Sequence, residues 1–177
     1  DRLLKSFEPG YLQELAHQIE GRGVNFGYCG LIVDFKAPVS SIEDEIDRAK
    51  QLIDAVPHLG INSIRVPGNG VVGDQTVEST FAAVRDKLQQ ICDYADRAGI
   101  KVFLHNHNHG MFPATGPQIL RMLDEVDSPH FTHILDTGQY RGSKGASKFA
   151  EDPDRESHDL YKYIGQSLHR AELVRTK

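Results

Sequence analysis

The sequence predicts an α/β protein built on a parallel sheet. Short apolar runs alternate with amphipathic helical stretches along the whole chain. The runs begin near Val24, Ile61, Ile100, Phe131 and Arg170, spaced roughly 30 to 40 residues apart, which leaves room for one crossover helix in each interval. No Pro/Gly/Ser-rich linker and no low-complexity tract divides the chain.

At 177 residues the chain has the size of one ordinary domain. A hydrophobic fraction of 39% with 25% charged residues belongs to a folded chain rather than a disordered one. The net charge of -5 argues against a broadly basic nucleic-acid surface. No apolar run is long enough for a membrane span. The opening Asp1-Arg2-Leu3-Leu4-Lys5 lacks a signal-peptide pattern, and two cysteines, Cys29 and Cys92, read as reduced, buried thiols. The expectation is a cytoplasmic protein with neither a nucleic-acid nor a membrane partner.

The elements follow in order. Glu8-Pro9-Gly10 opens a helix carrying Leu12, Leu15, Ala16 and Ile19, with proline in the first turn, where its missing N–H does no harm. Gly21 and Gly23 end it, and a strand is expected from Val24 to Val33. Ser40 or Ser41 caps a second helix with the apolar stripe Ile42, Ile46, Ala49, Leu52, Ile53 and Val56, ended by Gly60. Ile61 to Val66 is a short buried strand, and Gly68-Asn69-Gly70 reads as a loop. A long helix spans about Gln75 to Ala98, with Gly99 as its stop, before the strand Ile100–Leu104. A helix from Pro117 to Val126, a strand from Phe131 to Leu135, a helix from Asp152-Pro153 to Leu168 and a strand from Ala171 to Val174 complete the reading.

Two architectures fit this pattern, an open doubly wound sheet and a (β/α)8 barrel. Length favours the first, because a barrel normally needs about 200 residues or more.

The chemistry-bearing residues gather where the strands end. His105-Asn106-His107-Asn108-His109-Gly110 follows the strand at Ile100–Leu104. Alternate strand positions share a face, so His105 and His107, with His109, are candidates to converge, and neutral imidazoles suit transition metals. Leu135-Asp136-Thr137-Gly138-Gln139-Tyr140 puts a carboxylate at the same rim, with Gln139 as a candidate donor to a sugar oxygen. In Arg65-Val66-Pro67-Gly68-Asn69-Gly70, Arg65 suits a phosphate or carboxylate, although the loop is no P-loop. Arg175-Thr176-Lys177 puts Arg175 and Lys177 on one side of the last strand. His133 lies within a strand and reads as a core histidine.

Together these segments resemble the xylose-isomerase-like TIM-barrel superfamily, which includes sugar phosphate isomerases/epimerases and the related apurinic endonuclease family. The resemblance rests on Ala98-Gly99-Ile100 through His105-Asn106-His107, on His133-Ile134-Leu135-Asp136-Thr137-Gly138, and on Asp54-Ala55 through Leu59-Gly60-Ile61 to Ile64-Arg65-Val66. It implies a (β/α)8 TIM barrel, here a partial one of about five parallel strands with intervening helices. Residues 1–177 would form one such domain with the first strand and last two βα units absent. The open sheet edges would then need missing units, a partner segment or a second copy in a homo-oligomer.

The resemblance also implies a divalent metal (Mn, Mg, Zn or Co) at the mouth of the barrel, matched here by His105 and Asp136. A third family ligand, a histidine, falls at Arg175. The expected activity is that of a sugar or sugar phosphate isomerase/epimerase, moving a proton next to a carbonyl of a ketose, a keto-polyol or a sugar phosphate with metal assistance. His105, His107 and Asp136 are the expected catalytic residues, and Arg65, Asn106, Gln139, Arg175 and Lys177 the expected substrate contacts. Two rivals remain: a metal-dependent hydrolase or phosphodiesterase of the apurinic-endonuclease-like branch, and a non-catalytic carbohydrate-binding relative. The endonuclease branch is disfavoured by Val66 and Gln139, which stand where that branch has histidines.

Overall fold

Five parallel strands form one sheet in the computed structural model, which describes residues 4–31, 42–71, 74–108, 111–141, 143 and 160–176. The strands are β1 (Cys29–Gly30), β2 (Ser63–Pro67), β4 (Lys101–His105), β6 (Phe131–Asp136) and β7 (Ala171–Arg175), in the spatial order β1-β2-β4-β6-β7. Two short strands, β3 (Asn69–Gly70) and β5 (Met111–Phe112), pair antiparallel as a separate ribbon. The helices are α1 (Pro9–Glu20), α2 (Ile42–Ala55), α3 (Val77–Ala98), α4 (Gly116–Val126) and α5 (Leu160–Ser167). The architecture is a partial α/β barrel.

Strand alternation divides the residues between two environments. Ile64 and Val66 of β2, Val102 and Leu104 of β4, and Leu135 of β6 join Leu52, Ile53, Phe81, Leu88, Ile91 and Ile119 of the helices in one buried core. The other parity carries Arg65, Phe103, His105, Ile134 and Asp136. The core thus fills the helix side of the sheet, and the polar residues at the strand ends take the opposite face.

Most expected elements are present, with boundaries set by caps. α3 begins at Val77 because the Thr76 side chain accepts from the Ser79 N–H while the Ser79 hydroxyl accepts from the Thr76 N–H. It ends at Gly99, whose φ of 67° only glycine adopts without strain. α2 stops at Ala55 and tightens into a 3-10 turn over Val56–Leu59, since Pro57 has no N–H to continue the ladder.

The strand expected from Val24 to Val33 is corrected. Within the described residues only Cys29–Gly30 pairs with β2, because Asn25 and Gly27 interrupt the apolar run. Val33, Ser40 and Ser41 lie outside the described residues, as do Asp152 and Pro153; α5 is described from Leu160. The loop expected at Gly68–Gly70 instead contributes β3 to the ribbon.

The contact between β6 and β7 is irregular. His133 lies opposite Ala171, but Ile134 lies opposite Leu173, so Asp136 comes opposite Arg175. This one-residue shift decides which side chain of β7 stands beside the aspartate.

Candidate active site

A polar row crosses four neighbouring strands, from the middle of β2, where Arg65 stands, to the carboxyl ends of β4, β6 and β7. The Arg65 guanidinium donates through Nη1 to Nδ1 of His105 at 3.2 Å. A guanidinium only donates, so Nδ1 carries the lone pair and the ring proton lies on Nε2. Nε2 donates to Oδ2 of Asp136 at 3.2 Å. Arg175 Nε approaches the same oxygen at 3.5 Å. His105 and Asp136 are 2% and 0% exposed, while the Arg175 side chain is 48% exposed.

Each member has local support. The Asn106 amide bonds both backbone groups of Asp136: Nδ2 donates to its carbonyl at 2.9 Å, and its N–H donates to Oδ1 of the amide at 2.8 Å. The Gly138 N–H donates to the second carboxylate oxygen at 2.9 Å. Arg65 lies across Gly30 of β1. A Cβ at that position would stand 3.0 Å from Arg65 Nη2 and 3.1 Å from Nε, so the missing side chain makes the slot for the guanidinium. His107 brings its ring to 5.9 Å from that of His105, nearly perpendicular at 83°. His107 Nδ1 donates to the Asn108 carbonyl at 3.1 Å.

Burial holds the His105 imidazole below its ordinary pKa. The bond to Asp136 opposes this, and the charges of Arg65 and Arg175 reinforce it. His105 is neutral near pH 7. Burial also lowers the Arg65 guanidinium, but not enough to discharge it.

The structure therefore brings together His105, Asp136, Arg65 and Arg175, with His107 adjacent. Asn106 acts on the backbone of Asp136 rather than facing outward. Gln139 is 5% exposed; its N–H bonds the Asp136 carbonyl, and its side-chain oxygen is buried with no hydrogen-bond partner among the described residues. His109 and Lys177 lie outside the described residues.

The donor set that the described residues bring together does not fit the divalent metal that the resemblance implies. Among the described residues no group of three or more His, Cys, Asp or Glu could hold a metal. Of the two donors that converge, His105 has both ring nitrogens engaged and Asp136 already faces a guanidinium.

Two buried polar groups were not foreseen as parts of this framework. His133 donates through Nδ1 to the Leu104 carbonyl at 3.0 Å and accepts at Nε2 from the Tyr140 hydroxyl at 3.2 Å, tying β4 to β6 and to the segment after it. Tyr140 in turn meets Ser167 of α5. Lys87, fully buried on α3, donates to Glu45 of α2 at 2.9 Å and to the Asn69 side chain in β3. A signal for this second group was available. Lys87 falls between Val84 and Ile91 on the apolar stripe of its helix, and Glu45 lies one position before Ile46 and four before Ala49 on its own.

A parallel α/β barrel with its polar cluster at the carboxyl ends of the strands defines a TIM-barrel protein with its candidate site in the usual place. The chain belongs to the xylose isomerase-like TIM barrel family, whose model matches residues 2–166. Among solved structures, 3-keto-D-glucoside 4-epimerase from E. coli superposes with a TM-score of 0.67 at 19% identity, covering 95% of this chain and 64% of the other. D-psicose 3-epimerase from Clostridium cellulolyticum H10, with D-tagatose, gives 0.69 at 14% identity, covering 96% and 58%. A xylose isomerase domain protein from Planctomyces limnophilus gives 0.70 at 10% identity, covering 94% and 59%. The chain thus spans 58 to 64% of the length of these structures. At such identities the likeness shows the fold. No curated protein matches the sequence at a significant level.

Proposed function

We propose that this chain carries the catalytic face of an isomerase or epimerase that moves a proton on the carbon next to a carbonyl in a ketose, a keto-polyol or a sugar phosphate. The row Arg65–His105–Asp136–Arg175 across four adjacent strands carries this reading. Family membership and sugar epimerases among the structural neighbours support it.

The roles follow from the hydrogen bonds. His107, whose Nδ1–H is held by the Asn108 carbonyl, is the base that takes the proton from carbon. The imidazolium so formed on His107 is the acid that returns it, while neutral His105 keeps its Nε2–H on Asp136 and positions that carboxylate. Removing the proton leaves an enediolate whose negative charge falls on the former carbonyl oxygen, where fixed donors stabilise it. Asn106, on the Asp136 backbone, and Gly138, on its Oδ1, fix the carboxylate that accepts the His105 Nε2–H.

The test is wash-in of solvent deuterium, followed by proton NMR, across a panel of ketoses, keto-polyols and sugar phosphates. Exchange into one class, lost in His105→Ala and His107→Ala, is the expected result. Tight binding with no exchange in any class would instead favour a carbohydrate-binding relative. Release of phosphate or cleavage of a phosphodiester would favour the hydrolase.

A further inference from the structure

An arginine stands at each end of the row, Arg65 on His105 and Arg175 on Asp136. At neutral pH the described members of the row carry two positive charges, on Arg65 and Arg175, and one negative charge, on Asp136, with His105 neutral. The site therefore has a positive excess, in a protein whose net charge is -5. A divalent cation would enter against that excess, whereas an anion would relieve it.

The donor groups point the same way. Arg65 Nε is buried with no hydrogen-bond partner among the described residues. A buried N–H left unpaired carries a desolvation penalty that a ligand oxygen would remove. Arg175 uses Nε on Asp136, and its half-exposed guanidinium leaves the paired edge of its terminal nitrogens to planar oxyanions. The register shift between β6 and β7 brings this side chain opposite Asp136. Gly30 is the residue whose lack of a side chain admits the other guanidinium.

We propose that the Arg175 guanidinium supplies on Asp136 the positive charge that a divalent metal would otherwise bring, and that Arg65 and Arg175 together bind an anionic oxygen group, phosphate or carboxylate, of the substrate. The word substrate rests on the isomerase/epimerase reading; the binding chemistry does not. The preferred substrate is then the acidic member of the sugar class, such as a sugar phosphate or a sugar acid. The neutral ketose is the poor one.

The experiment is calorimetric titration of chelator-treated protein with inorganic phosphate, D-glucuronate, manganese chloride and zinc chloride, on the natural chain, Arg65→Gln, Arg175→Gln and Arg175→Lys. Phosphate or glucuronate is expected to bind without metal, and each Gln variant to weaken it by about tenfold or more, the worth of one charge-assisted contact. Arg175→Lys, which keeps the charge but loses the fork, is expected to retain part of the affinity. The tighter of the two anions assigns the group.

Stoichiometric manganese or zinc binding that is lost in Asp136→Asn would overturn the proposal. So would anion binding that is absent, or that is equal in the natural chain and both Gln variants. Arg175 is half exposed at the sheet edge, so its variants keep the test valid if Arg65→Gln fails to fold. Deuterium wash-in separates the two readings. Arginine-dependent anion binding with no exchange in any sugar sinks the isomerase/epimerase reading alone. Exchange into neutral ketoses that requires added manganese sinks this inference alone.

Discussion

Nη1 of Arg65 lies 3.2 Å from Nδ1 of His105, and this contact together with the Asp136 carboxylate at Nε2 fixes which ring nitrogen carries the proton. Because the guanidinium only donates, the ring accepts at Nδ1 and presents Nε2–H to Asp136. A long-range proton–nitrogen NMR spectrum is expected to show His105 as the Nε2–H tautomer, titrating below the ordinary histidine range. In Arg65→Gln a neighbouring positive charge is gone, so the His105 pKa is expected to rise. An unchanged titration in that variant would show that the Arg65 charge does not act on the ring.

Gly30→Ala is a substitution with opposite effects on fold and site. The new Cβ would meet only the flexible end of Arg65, at 3.0 Å from Nη2, so stability is expected to change by less than about 1 kcal/mol. The guanidinium must move, and the His105 titration and anion binding are expected to change with it. Urea unfolding beside the NMR spectrum checks both; a large stability loss with an intact His105 signal would contradict this placement.

His133 makes the fold sensitive to acid. Burial depresses its pKa to about 4, against about 6.5 for the unfolded chain. The unfolded state therefore binds the proton first, and stability present above pH 6.5 is lost as the pH falls towards 4. The loss amounts to about 3 kcal/mol over that window. Urea unfolding at pH 7.5, 5.5 and 4.5 is expected to show a steeper fall in the natural chain than in His133→Gln. Parallel curves would rule the group out as the source.

The buried pair Lys87–Glu45 holds α3 to α2 and reaches the ribbon through Asn69. Lys87→Met leaves the Glu45 carboxylate buried and uncompensated, and is expected to destabilise the chain by about 3–5 kcal/mol. Lys87→Met with Glu45→Gln is expected to recover a large part of that loss, because no buried charge is then left alone. Denaturant midpoints of the two variants decide it; equal midpoints would mean that lost packing, not the stranded charge, sets the penalty.

Much of this arrangement was legible in the chain itself. Spacing and periodicity place β2, β4, β6 and β7 and the helices α1 to α4, because a helix repeat of 3.6 and a strand repeat of 2 leave distinct apolar patterns. His105 and Asp136 could be placed at strand ends for the same reason. The ribbon of β3 and β5 was not legible, since each strand is two residues long and its pairing joins segments far apart in sequence. Lys87 left a trace, a charge within an apolar stripe, but its partners Glu45 and Asn69 come beside it only in the fold.

The sequence by itself determined the α/β class, the order of the elements and the chemical groups at the strand ends, because these depend on local repeats and residue types. Tertiary structure decided which groups meet. The Arg65 side chain reaches His105 because β1 contributes a glycine next to it. Arg175, rather than Val174, stands opposite Asp136 because the β6–β7 register slips after His133. The alternation of strand side chains is visible in one strand at a time, whereas the offset between two strands exists only once they pair.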